Sequence, residues 1–115
     1  MATIYHNPRC SKSRKTLDIL RAKNIATNIV LYLKDSMSSS ELNAVLKKLN
    51  MTPSQLIRRT ETDFKRLQLG GTAVTEQQLL DAMLMHPILI ERPIVVIGEK
   101  AVIGRPPENV LGLLQ

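Results

Sequence analysis

The stretch Thr3-Ile4-Tyr5-His6-Asn7-Pro8-Arg9-Cys10-Ser11-Lys12-Ser13-Arg14 decides how this chain folds. Thr3-Ile4-Tyr5 reads as a short apolar strand. A helical pattern follows from about Ser11 to Lys23, with Leu17 and Leu20 on one face and Asn24 as the stop. Cys10, the only cysteine, is therefore expected on a loop between strand and helix, at the helix N-terminus. Unpaired N–H groups and the positive end of the helix dipole stabilise negative charge there. Arg9, Lys12, Arg14 and Lys15 crowd the same turn. Both features favour a thiolate over a thiol and also cradle an oxyanion.

Working outward, Ile29-Val30-Leu31-Tyr32-Leu33 is a short apolar run, partly β-branched, and predicts a strand buried on both faces. Strand, helix and strand in this order form a βαβ unit, so the two strands should be parallel with a right-handed crossover. A block of short helices comes next. Ser38 with Glu41, Thr52 with Gln55 and Thr75 with Gln78 each have capping-box spacing. Leu42, Val45, Leu46 and Leu49 share one helical face, as do Leu79, Leu80, Met83 and Leu84. Leu56 to Arg59 are expected on a short helix opened by Pro53, and one or two turns should cover Asp63 to Leu67. Gly70-Gly71 breaks the chain, and His86-Pro87 ends the last of these helices. Ile94 to Ile97 and Ala101 to Ile103 then form a hairpin across Gly98-Glu99-Lys100. A final helix after Pro106-Pro107 should turn Val110, Leu111 and Leu114 inward. The expected architecture is α/β, a four-stranded mixed sheet with a helical insertion between the second and third strands. Residues 1–115 should make a single domain.

Composition narrows the function. Nothing approaches the roughly 18 apolar residues of a membrane span, and the N-terminal strand does not read as a signal peptide. One cysteine excludes an internal disulfide, and a cytoplasmic location is the simplest expectation. The net charge of +6 raises nucleic acid as a partner, but only 3% of residues are aromatic, which leaves few stacking platforms. Basic residues gathered around Cys10 instead suggest a small-anion site. No Cys/His set has metal-ligand spacing and no phosphate-loop motif is present, so no metal or bound cofactor is expected.

The element order is that of the thioredoxin fold. The motifs His6-Asn7-Pro8-x-Cys10 with Ser13 and Arg14, Leu56-Ile57-Arg58, His86-Pro87-Ile88-Leu89-Ile90-x-Arg92-Pro93-Ile94-Val95-Val96, and Arg105-Pro106 resemble the ArsC-like arsenate reductases coupled to glutathione and glutaredoxin. The resemblance covers essentially the whole chain. It implies reduction of arsenate to arsenite, in arsenic detoxification, through a Cys10–arsenic adduct. Glutathione would be the co-substrate, glutaredoxin the partner, and the enzyme a monomer. It also implies that Arg58, Arg92 and Arg105 bind the oxyanion, a task that suits the planar guanidinium fork. Arg59 is a rival to Arg58 that only the resemblance sets aside. His6 is expected either to stabilise the thiolate or to order the loop, and Ser13 either to donate its hydroxyl to the Cys10 sulfur or to cap the helix. Pro93 matches the cis-proline that thioredoxin-like folds place opposite the active cysteine, so Arg92-Pro93 is expected to be cis. Two other readings remain open: a thiol oxidoreductase acting on glutathione mixed disulfides, and a non-catalytic Spx-like protein-binding module. Cys10-x-x-Ser13 in place of Cys-x-x-Cys, with the set of arginines, weighs against the module.

Overall fold

The sheet has four strands, β1 (Ala2–Tyr5), β2 (Thr27–Val30), β3 (Ile94–Ile97) and β4 (Lys100–Ile103), in the order β2-β1-β3-β4. The structure is a computed structural model that describes residues 1–114. β1 pairs with β2 in parallel and with β3 antiparallel, and β3 pairs antiparallel with β4. The sheet is therefore mixed, as expected. Among the described residues there are five α-helices: α1 (Ser11–Ala22), α2 (Ser39–Leu49), α3 (Pro53–Leu56), α4 (Thr62–Arg66) and α5 (Glu76–Met85). Two 3-10 helices join them, Pro87–Leu89 and Pro107–Leu114. The expected helical insertion is the run from α2 to Pro87–Leu89.

The chain divides into two compact units. One is Met1–Asp35 with the described residues from Arg92 onward, and the other is Ser36–Glu91. In the first, α1 supplies Leu17 and Leu20 to a core with Ala2 and Ile4 of β1, Val95 of β3 and Val110. The spacing of 17 and 20 on a 3.6-residue helix puts both on the face turned to the sheet. α1 stops where Asn24 takes a left-handed backbone, with φ 58°, which Asn tolerates better than most residues. The hairpin turns on Gly98, with φ 61°.

Two expectations about this unit are corrected. The second strand is Thr27–Val30 and not Ile29 to Leu33, and it is not buried on both faces. Among the described residues it hydrogen-bonds only β1, so it is an edge, and within it Asn28 and Ile29 are exposed, Ile29 at 39%. A turn begins at Leu31, whose carbonyl accepts from the N–H groups of Lys34 and Asp35. The apolar run thus spans an edge strand and a turn. The C-terminal helix is of the 3-10 type. Its three-residue period aligns Pro107, Val110 and Leu113 on one face and turns Leu111 outward, 36% exposed.

The second unit is built from capped helices. Ser38 Oγ accepts from the Glu41 N–H, and Thr75 and Gln78 make a reciprocal pair of bonds at 3.1 and 2.8 Å. Gln55 Oε1 accepts from the Thr52 N–H at 2.9 Å. Leu42, Leu46, Leu56, Leu80, Met83 and Leu89 are buried here. α3 ends earlier than expected, at Leu56. Ile57 is extended and forms an isolated antiparallel bridge with Ile90, so Arg58 and Arg59 follow the helix.

Candidate active site

Cys10 is the N-cap residue of α1, with extended backbone at φ −91° and ψ 121°. An N-cap side chain faces the unpaired N–H groups of the first turn. The half-buried thiol occupies that position and faces the backbone N–H groups of Ser13 and Lys12, although no full capping bond is closed. Burial alone pushes the thiol pKa up. The Ser13 N–H, the Arg92 side chain and the Lys12 N–H outweigh it, and the net shift is below the ordinary thiol value. Arg105 Nη1 lies 3.8 Å from Cys10 Sγ and donates to the Arg92 carbonyl at 3.2 Å. One guanidinium thus bridges the sulfur and the strand entry that carries the other.

The loop behind the cysteine is held from below. Ser13 is fully buried, and its hydroxyl lies 2.6 Å from His6 Nδ1 and accepts from the Asn7 N–H at 3.1 Å. Asn7 Oδ1 accepts from the Arg9 N–H and the Asn7 carbonyl from the Cys10 N–H, each at 3.0 Å. Arg14 Nη1 donates to the Pro8 carbonyl at 2.8 Å. The Ser13 hydroxyl is therefore turned to His6 and Asn7, a partner pair outside the two expected roles of sulfur donor and helix cap, and it is the Ser13 backbone N–H that faces the sulfur. His6 is 6% exposed, and burial, with the charges of Arg21 and Arg14, lowers its pKa. A neutral His6 orders the loop and adds no positive charge beside the thiolate.

Arg92-Pro93 is cis, as expected, and so is Arg105-Pro106, which the sequence reading had not singled out. The repeated Arg-Pro pair was the available signal, since cis bonds are nearly confined to X–Pro. Thr16 and Gly104 were also missed. Thr16 is fully buried, and its hydroxyl donates to the Lys12 carbonyl at 2.8 Å and reaches the Gly104 carbonyl at 3.5 Å. The Gly104 N–H donates to the Pro93 carbonyl at 2.9 Å. A side chain at Gly104 would collide with Thr16 Oγ1 and come within 2.8 Å of Pro93 Cγ. This close approach seats the Arg105 loop on α1.

Cys10, His6, Ser13, Arg92, Pro93 and Arg105 thus all belong to the first unit. Arg58 belongs to the second. Its Nη1 donates to Glu91 Oε1 at 2.8 Å, and its Nε lies 3.0 Å from Glu61 Oε1. Arg59 instead stacks on the Phe64 ring, 5.3 Å from its centroid, and donates to the Ser54 carbonyl. His86 is the C-cap of α5, its N–H bonded to the Ala82 carbonyl, which matches a structural role at that helix end. Two cavities of about 530 and 390 Å³ share His6, Pro8 and Leu31, but neither is lined by Cys10. Among the described residues no cluster of His, Cys, Asp or Glu is arranged to hold a metal ion. No helix among them is long and apolar enough to cross a membrane.

A family model described as the ArsC family matches residues 5–113. The chain belongs to the ArsC family. It is 46% identical to an arsenate reductase of Haemophilus influenzae, over 96% of this chain and 97% of the relative. It is also 46% identical to an uncharacterized protein, YfgD, of Escherichia coli K12, over 96% and 94% of the two chains. The solved structure of an arsenate reductase from Vibrio cholerae superposes with a TM-score of 0.93 at 44% identity, covering 96% of this chain and 95% of that one. The thioredoxin-like α/β fold of the ArsC family is accordingly the fold of this protein.

Proposed function

We propose that this ArsC-family chain is an arsenate reductase that uses Cys10 as nucleophile and takes its electrons from glutathione and glutaredoxin. The observation that carries the reading is the pair of guanidinium groups, Arg92 and Arg105, gathered on a thiol whose pKa is already lowered. A thiolate that only exchanged with disulfides would need no dedicated cations for a tetrahedral anion.

In the proposed cycle the Cys10 thiolate attacks arsenic, an S–As bond forms, and one oxygen leaves as water. Arsenic remains As(V). A glutathione thiolate then attacks the Cys10 sulfur. The S–As bond breaks with its electron pair on arsenic, arsenite leaves as As(III), and a Cys10–glutathione disulfide remains. A glutaredoxin thiolate takes the glutathione from Cys10 and restores the thiolate. The chain has one cysteine, so both resolving thiols must come from outside. Arg92 and Arg105 hold the arsenate oxygens and the charge that develops on them, and the family resemblance adds Arg58 as a third candidate. His6 and Ser13 hold the loop so that the Ser13 and Lys12 N–H groups stay turned to the sulfur. We place the protein in the cytoplasm, acting as a monomer.

The test is steady-state arsenate reduction with glutathione and glutaredoxin, beside reduction of a glutathione mixed disulfide. Wild type should turn over arsenate, and Cys10→Ser should abolish turnover in a folded protein, because a hydroxyl is a far weaker nucleophile. Arg92→Lys or Arg105→Lys keeps the charge but loses the fork, and loss of one charge-assisted bond costs about 1.5–3 kcal/mol, roughly tenfold to hundredfold in kcat/KM. Mixed-disulfide activity without arsenate turnover would replace this reading with a thiol oxidoreductase.

A further inference from the structure

Arg58 is already occupied. Its side chain is only 15% exposed and two carboxylates hold it. Glu91 accepts an aligned hydrogen bond from Nη1 at 2.8 Å. Glu61 lies 3.0 Å from Nε without the alignment of a hydrogen bond, so its attraction is mainly Coulombic. The Arg58 N–H also donates to the Leu89 carbonyl at 2.7 Å, which fixes the backbone from which the side chain reaches Glu91. Chemically, a carboxylate on a guanidinium is the same kind of ligand as an oxyanion: two oxygens facing the N–H fork. Any external anion that uses Arg58 must therefore compete with these residents.

We propose that Glu91, seconded by Glu61, sets the oxyanion affinity of this protein by competing for Arg58. Glu91 is a positioning residue that limits how much of the Arg58 charge an anion can use. This rests on the reading of Arg58 as an anion-binding arginine. The consequence runs opposite to most substitutions near a binding site. Glu91→Gln keeps the side-chain volume and an acceptor for Arg58 but removes the competing charge, so anions should bind more tightly.

The experiment is calorimetric titration of the full chain with inorganic phosphate and with arsenate. The variants are Glu91→Gln, Glu61→Gln, Arg58→Gln, the Arg58→Gln/Glu91→Gln double variant, and Glu99→Gln. Glu99 is an exposed turn residue, so its substitution makes the same change in net charge away from Arg58. Glu91→Gln should tighten both anions about fivefold, the scale of releasing one partly exposed ion pair. Glu61→Gln should give a smaller gain, and it carries the test if Glu91→Gln does not fold. Glu99→Gln should leave affinity within twofold. The gain from Glu91→Gln should vanish in the Arg58→Gln background, as a double-mutant cycle requires of an effect that acts through Arg58. In turnover, KM for arsenate should fall while kcat is held, whereas a merely structural role would lower stability without tightening binding. No gain, a gain equal to that of Glu99→Gln, or a gain that survives Arg58→Gln and so acts through the chain neighbour Arg92, overturns the proposal. Tighter phosphate and arsenate binding in a protein that reduces no arsenate would uphold this inference and reject the reductase.

Discussion

At the scale of single residues, the site holds a thiol and a histidine that both lose their proton more readily than usual. Both folded pKa values lie below their ordinary values, but the pH windows differ. For Cys10 the stabilisation from the thiolate is full above the unfolded pKa of about 8.5 and is lost as pH falls through the lower folded value. The alkylation rate should therefore show a midpoint below about 8.5, and Arg92→Gln should move it up, because the Arg92 side chain lowers this pKa. A midpoint at the free-thiol value would remove the activated nucleophile. For His6 the folded protein resists the proton, so stability is full above 6.5 and falls as pH drops toward the lower folded value. Wild-type melting temperature should decline as pH falls below about 6.5, and His6→Gln should flatten that decline. An unchanged slope would mean that other groups carry it. The cysteine at the helix start was legible in the sequence because strand, loop and helix are local, but the side-chain cations that reach its sulfur are Arg92 and Arg105 from remote segments, not the expected Arg9, Lys12, Arg14 and Lys15. The partner of the Ser13 hydroxyl was not legible either, because the same spacing fits a bond to sulfur, to the helix end or to His6.

At the scale of elements, caps and periodicity were read correctly where local chemistry decides. Thr75 and Gln78 make the reciprocal bonds their spacing demands, and this cap starts the helix that supplies Leu80 and Met83 to the second unit. Thr75→Ala removes the acceptor for the Gln78 N–H and should cost about 1 kcal/mol in denaturant unfolding. An effect of a few tenths would mean that water replaces the cap at little cost. The same local reasoning failed for β2. Apolar character in Ile29 to Leu33 says that the segment packs but not on which side, and an edge strand leaves one flank without a neighbour. It failed again after Pro107, where a three-residue period exchanged Leu111 for Leu113 on the buried face.

At the scale of the molecule, charge is the property that reaches the substrate. The net charge of +6 and the arginines near Cys10 should draw anions in. Arsenate KM should therefore rise with ionic strength from about 10 to 150 mM, over which the screening length falls from about 30 to 8 Å. Sodium sulfate should raise it further than sodium chloride at equal ionic strength, because sulfate competes for the same forks. Equal effects of the two salts would reduce the site to general attraction. The sequence alone determined the strand–loop–helix that carries Cys10, the parallel pairing of the first two strands and the helical insertion, while the candidacy of Arg58, Arg92 and Arg105 came from the family resemblance. The first three follow from short-range rules: residue periodicity, caps and chain connectivity. Only the tertiary structure decided that Arg105 reaches Cys10 Sγ across 95 positions of chain, that Gly104 must be bare to meet Thr16, and that Arg58 is held by Glu61 and Glu91. The physical reason is that a charge shows its type in the sequence but acquires its partner only when folding closes the distance between remote segments.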